Sequence, residues 1–304
     1  MKHWGAVIWR KTKIFTRSLI SHYQEGNISD SAVVLAFYSL LSILPIIILL
    51  GSLLRLFNFD SDQILDYAAP IFPDSIYSFL KPIIESTLSG YSTGQFSFGI
   101  IVTIWSASRA IAAFQRTINQ TYGVAKHQTA ISNRILSFIW MIVLILIVMA
   151  VMLFFTFGQM AIEWLTPKLG LPRDLGSLIN TVKWPVTIFS VWFLLMLLYY
   201  FVPTARVKFR YIWVGALVST LGLMLLSQGF TYYVKYFANS ITTYKTIGTF
   251  IVLMFWLDFS ALILLFGGVV NATVQELKHG AIQEQTDAIA QVMKRGARRI
   301  RKNK

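Results

Sequence analysis

Apolar residues arrive in long runs along this chain, and polar residues gather between them. Six runs are of spanning length: 33 to 57, 96 to 114, 134 to 158, 182 to 202, 211 to 230 and 247 to 272. A helix of about 20 apolar residues matches the roughly 30 Å hydrocarbon core of a bilayer. The pattern therefore predicts an all-α, polytopic membrane protein with six transmembrane helices. After the first run, the segment DSIYSFLKPIIESTL places Ile76, Phe79, Leu80, Ile83, Ile84 and Leu88 at helical spacing. This predicts an outer amphipathic helix lying on the membrane or over the bundle, set off by Pro70 and Pro73 from a shorter helix before it. Before the first run, Trp4, Ile8, Phe15 and Leu19 share a rough face opposite Arg10, Lys13 and Arg17. Two readings fit that face: an interfacial helix, or a helix packed on the cytoplasmic loops. The expected organisation is a cytoplasmic N-terminal helix in 1–32, a transmembrane domain in 33–274 with the outer amphipathic segment in 58–95, and a basic cytoplasmic tail in 275–304.

Composition agrees with the runs. A chain of 304 residues that is 56% hydrophobic and 13% charged has more apolar surface than one soluble core of its size can hide. With no cysteine, disulfides and thiolate metal sites are excluded. His3, His22, His127 and His279 fall outside the apolar runs and never at a metal-ligand spacing, so no metal or cofactor is expected. In a soluble protein a net charge of +14 would point to nucleic acid; here its distribution reads as topology. Segments 1–32, 115–134, 203–210 and 275–304 carry 5, 3, 3 and 8 basic residues, against 1, 3 and 2 in 58–95, 159–183 and 231–246. The positive-inside rule then puts both termini in the cytoplasm. In the tail, Lys294, Arg295, Arg298, Arg299, Arg301, Lys302 and Lys304 could gain about 1 kcal/mol each near anionic headgroups. A solvated tail that merely fixes topology is the competing reading. Nucleic acid is not an expected partner, because no aromatic stacking platform accompanies the charge.

Two ionisable residues stand inside the runs. Asp258 lies near the middle of the last one, where an Asp costs about 2.5–3.5 kcal/mol on the insertion scale and its short side chain cannot snorkel. Arg109 lies near the inner end of the second, with Trp105 and Ser106 four and three residues before it. Either it is an interfacial Arg with a buried stem, or it joins an aromatic ring and a hydroxyl at the mouth of a cavity. The expected depths of the two residues suggest that Asp258 pairs with Arg109, directly or through water. Pro45 predicts a kink in the first span, with Ser42 or a neighbouring helix satisfying the carbonyl it frees. Gly215, Ala216, Ser219, Gly222, Gly267 and Gly268 permit close helix contacts.

The segments AFYSLLSILP (36–45), WSASRAIAAFQRTINQTY (105–122), YYFVPTARV (199–207) and YKTIGTFIVLMFWLDFSALILLFGGVVNA (244–272) resemble the YihY/BrkB family of bacterial inner-membrane proteins. The resemblance covers nearly all of the membrane part. It implies six helices in a bacterial cytoplasmic membrane, and activities described variously as transport, virulence and serum resistance, or under an older ribonuclease label. Trp105, Ser108, Arg109, Asn119 and Tyr122 match the family's second-helix signature, and Pro203, Gly248, Trp256 and Asn271 match later positions. The chain departs at Val269, where relatives commonly carry Glu, and at Asp258, where they often carry Tyr. Eleven residues apart, these two positions share a helix face.

The functional expectation is a transporter or translocator, with an anionic lipid or lipid-linked molecule favoured as substrate. Asp258, Arg109, Trp105, Ser106, Ser108, Asn119 and Asn271 are the candidate pathway residues. The alternative is a structural or interaction protein linked to envelope integrity or virulence, in which the intramembrane charges only set helix register. An enzyme, ribonuclease included, is not expected: the 13 acidic residues are scattered and no His pair exists. The absence of a Gly-rich phosphate-binding run leaves an ion gradient or passive movement as the driving force. Homo-oligomerisation is left open.

Overall fold

The computed structural model describes residues 2–56, 93–124, 175–237 and 245–280, with isolated positions elsewhere. Every regular element among them is a helix: α1 Lys2–Glu25, α2 Ile28–Leu56, α3 Thr93–Thr121, α4 Leu175–Phe201, α5 Phe209–Phe237 and α6 Lys245–His279. Among the described residues, two stretches are long and apolar enough to cross a membrane, Phe209–Tyr233 and Phe250–His279. A third is counted if Trp9–Glu25 and Ile28–Ile43, bent by 50°, form one broken span. Exposed Val33, Phe37, Phe193, Leu221, Leu225 and Phe255 give these helices apolar outer faces, as contact with lipid chains requires. Most of the expected third span lies outside the described residues, as do most of the outer amphipathic segment and the basic tail. Of the third span, Ile139, Ile142, Val143 and Leu146 are helical. Of the outer segment, Tyr77 packs on the core, and Lys81 pairs with Glu85 one turn on at 3.8 Å.

Helix ends follow local chemistry. Asn27, in the left-handed region at φ 45°, breaks α1 from α2, a conformation that Asn tolerates better than most residues. Its amide donates to Asp30 at 2.9 Å, and its carbonyl accepts the Ser31 N–H that opens α2. Beside it, a side chain at Gly26 would strike the Thr121 hydroxyl, so this turn sits directly on the end of α3. α3 closes with a Schellman motif, in which Gly123 (φ 71°) donates to Gln120 and Val124 to Asn119.

α2 packs against both α3 and α6, α5 against α4 and α6, and α1 against α6 and α3. The α1–α2 turn, the end of α3, the α4–α5 loop and the end of α6 converge at one end of the bundle, here called the basal end. The loop there is buried at Val202, Pro203, Ala205 and Val207, and side chains from distant helices satisfy its backbone. The Asn119 carbonyl accepts Thr204 N–H at 3.0 Å. Gln275 pairs with both Lys208 N–H and the Arg206 carbonyl at 3.1 Å. Buried peptide groups need such partners.

Of the two readings for the N-terminal helix, neither describes the contacts in full. Leu19 and Tyr23 pack onto the core. His22 takes the Thr121 carbonyl at 2.8 Å and Glu276 at 2.9 Å, and the Ser18 hydroxyl donates to the same carboxylate. α1 is thus fastened to the ends of α3 and α6, while Trp9, Ile14 and Ile20 stay exposed. α2 runs as one helix through Pro45. The Ser42 hydroxyl donates to the Tyr38 carbonyl at 2.6 Å, four residues back, and not to the carbonyl that Pro45 frees.

Candidate functional site in the membrane interior

Two helix seams hold the polar residues. In the α5–α6 seam, glycines bring the backbones together. A side chain at Gly215 would overlap the Gly267 carbonyl and Asn271, and one at Gly267 would overlap Ser219, Tyr199 and the Gly215 carbonyl. Close approach of this kind is what drives helix association when lipid is as apolar as the side chains. Buried Tyr199, from α4, inserts its hydroxyl here, donating to the Leu264 carbonyl at 2.5 Å and lying 2.8 Å from Ser219 Oγ. Ser219 donates to Ile263 at 3.1 Å, and the Asn271 carbonyl accepts Gly215 N–H at 2.8 Å. Tyr122 comes to Asn271 from the end of α3.

The α2–α3 seam is built otherwise. Arg109 projects between two rings, its guanidinium carbon 5.6 Å from the Trp105 centroid and 6.0 Å from that of Tyr38 on α2. Trp105 is 46% exposed, so the cation sits at the edge of the bundle. Its Nε is buried and has no hydrogen-bond partner. Seven residues on, about 10 Å along the helix, Arg116 lines an open cleft at the basal end.

Asp258 and Arg109 share a depth. Gly268 lies against Ile118; counting back ten residues from the one and nine from the other leads to Asp258 and Arg109, each about 14–15 Å above that level. No direct ion pair joins the two residues among the described ones. The guanidinium is turned to its two rings, and Asp258 Oδ1 is buried without a hydrogen-bond partner. Equal depth from sequence does not fix the rotation of each helix. Val269, eleven residues on, is fully buried, whereas Asp258 is only partly so.

The other candidate residues divide. Buried Ser106 donates to the Val102 carbonyl at 2.7 Å and Ser108 to Trp105 at 2.9 Å. Trp105 and Arg109 meet as expected, but Ser106 lies inside the bundle and Trp105 at its edge. The Asn119 and Asn271 carbonyls hold backbone N–H groups. Sequence reasoning passed over His22, Glu276, Gln275 and Arg116. His22 and Tyr23 continue the stripe begun by Phe15 and Leu19, and a polar residue continuing an apolar stripe was the available signal.

Comparison with known proteins follows this geometry. The chain is 29% identical over 264 residues to the ribonuclease-like protein YfkH of Bacillus subtilis, covering 87% of this chain and 96% of that protein. It is 22% identical over 282 residues to a UPF0761 membrane protein of Haemophilus influenzae, covering 91% and 97%. To one of Pseudoalteromonas atlantica it is 24% identical over 284 residues, covering 90% of each. No solved structure matches. The family model described as virulence factor BrkB matches residues 19–291, from the stripe of α1 through the whole of α6, and the chain belongs to that family of membrane proteins, YihY/BrkB.

Proposed function

We propose that this protein is a non-enzymatic translocator of an anionic lipid or lipid-linked molecule in a bacterial cytoplasmic membrane, with six spans and both termini in the cytoplasm. The observation that supports this best is Arg109: a cation at membrane depth, held by two rings at a lipid-accessible edge, with Nε unpartnered. Intramembrane ionisable residues usually mark a pathway. A phosphate reaching Arg109 along the seam would gain a charge-assisted hydrogen bond in a medium where water offers none. Asp258, at the same depth on another helix, would turn the anion back toward Arg109 or take up a coupling proton.

The test is reconstitution in liposomes with a fluorescent anionic lipid and a membrane-impermeant quencher. The wild-type protein is expected to expose inner-leaflet lipid, and Arg109→Gln to slow this by roughly tenfold, the scale of one charge-assisted bond. Wild-type liposomes no faster than empty ones would end this reading.

A second reading, a structural or interaction protein, draws support from Asn119, Asn271 and Gln275, whose side chains all serve helix and loop fastening. Intact envelope physiology with both Arg109 and Asp258 replaced would favour it. The ribonuclease-like wording belongs to YfkH. In our reading, the carboxylate at position 258 stands within an apolar helix that hydrated RNA does not reach.

A further inference from the structure

At the basal end, the α1–α2 turn and the last turns of α3 enclose an open cleft of about 400 Å³, within the range of small-ligand pockets. Its walls carry both signs of charge: Glu25 and Asp30 from the α1–α2 turn and the start of α2, Arg116 from α3, with Asn27 and Gln120 also lining it. Here Arg116 makes no ion pair with either carboxylate among the described residues. Its Nε instead donates to its own helix at Ala112, 3.3 Å away. Asp30 is held by Asn27, and Glu25 by Ser21 at 2.8 Å, with His22 Nδ1 4.0 Å from its other oxygen. Each charge is anchored separately, facing a common space.

We propose that this cleft binds a zwitterionic aminoalkyl phosphate, with the phosphate on Arg116 and the ammonium between Glu25 and Asp30. A purely anionic group would meet two carboxylates, and a purely cationic one would meet the guanidinium. A ligand carrying both charges satisfies all three. The rim indicates where such a group comes from. Val34 lines the cleft and belongs to the exposed apolar face of α2 with Val33, Phe37 and Leu41, which would carry acyl chains once the headgroup is seated. The site is distinct from Arg109 and does not depend on transport.

The test uses the full chain in mild detergent, with native mass spectra of bound phosphatidylethanolamine and phosphatidylglycerol of matched acyl chains. Wild type is expected to retain the ethanolamine lipid about tenfold better, as befits charged hydrogen bonds made to one and refused to the other. Arg116→Ala should weaken retention of both lipids. Glu25→Gln with Asp30→Asn should weaken the ethanolamine lipid and strengthen the glycerol lipid, an inversion that general misfolding does not produce. Soluble glycerophosphoethanolamine, added as competitor, separates the sources: displacement of the lipid assigns the cleft to the free compound as well, and no displacement assigns it to the lipid. Equal retention of both lipids by wild type, unchanged in the carboxylate variants, would overturn the proposal.

Discussion

The α5–α6 seam and the α2–α3 seam solve opposite problems. In the first, glycines close the gap and the Tyr199 and Ser219 hydroxyls each meet a carbonyl or hydroxyl. In the second, a guanidinium rests on rings and a second arginine faces open space. Polar groups in a membrane helix are costly unless satisfied, so the difference separates residues that hold the bundle from residues kept for something else.

The strongest way to break the contrast is to add bulk on the closed side. Gly267→Leu would drive a side chain into Ser219, Tyr199 and the Gly215 backbone. Overpacking costs about 1–3 kcal/mol and sometimes more, and here backbone would have to move. We expect no monodisperse folded protein by gel filtration in detergent. Val34→Leu on the exposed rim of the other seam should change stability by no more than about 0.5 kcal/mol.

Next comes Tyr199→Phe, which removes one hydroxyl and keeps the ring. Interhelical hydrogen bonds in membranes average about 0.6 kcal/mol, with a maximum near 1.7, so a modest fall in melting temperature is expected. Combined with Ser219→Ala the loss should be less than additive, because the two share one bond. Additive losses would mean that the hydroxyls act independently.

The smallest structural effects belong to the open side. Arg109→Gln should cost no more than about 1 kcal/mol, the worth of an accessible cation–π contact, while abolishing most translocation. Asp258→Asn should be neutral or stabilising, since it removes a mid-span carboxylate without breaking an ion pair. The double variant should be additive within about 0.3–0.5 kcal/mol. A single Asp258→Asn more damaging than the double would mean that the two residues pair, directly or through water.

Much of the fold was legible because lipid imposes a one-dimensional code. The runs at 33–57, 96–114, 182–202, 211–230 and 247–272 each fall within or almost within an observed helix. α3 outlasts its run by seven residues, because QRTINQT is polar yet helix-compatible and packs at the basal end. Pro185, inside α4, was given no weight beside Pro45. Within the candidate site, the contact of Trp105 with Arg109 was legible, and the direct Arg109–Asp258 contact was not. Trp105 and Arg109, one turn apart, had to meet; Arg109 and Asp258, on separate helices, depended on rotation that no periodicity reports. Asn119 and Gln275 illustrate the same limit, since each answers a loop backbone 67 or more residues away in sequence.

The fastening of α1 carries a consequence for biosynthesis. His22 leaves the ribosome early, but Glu276 follows 254 residues later. At about 5–20 residues per second the wait is on the order of 10–50 s. The first helix made therefore cannot take its final position until the last one has been made. A chain cut before Glu276 should leave α1 open to protease, whereas the full chain protects it. Docking of the first helix thus reports that synthesis has reached the end of the bundle.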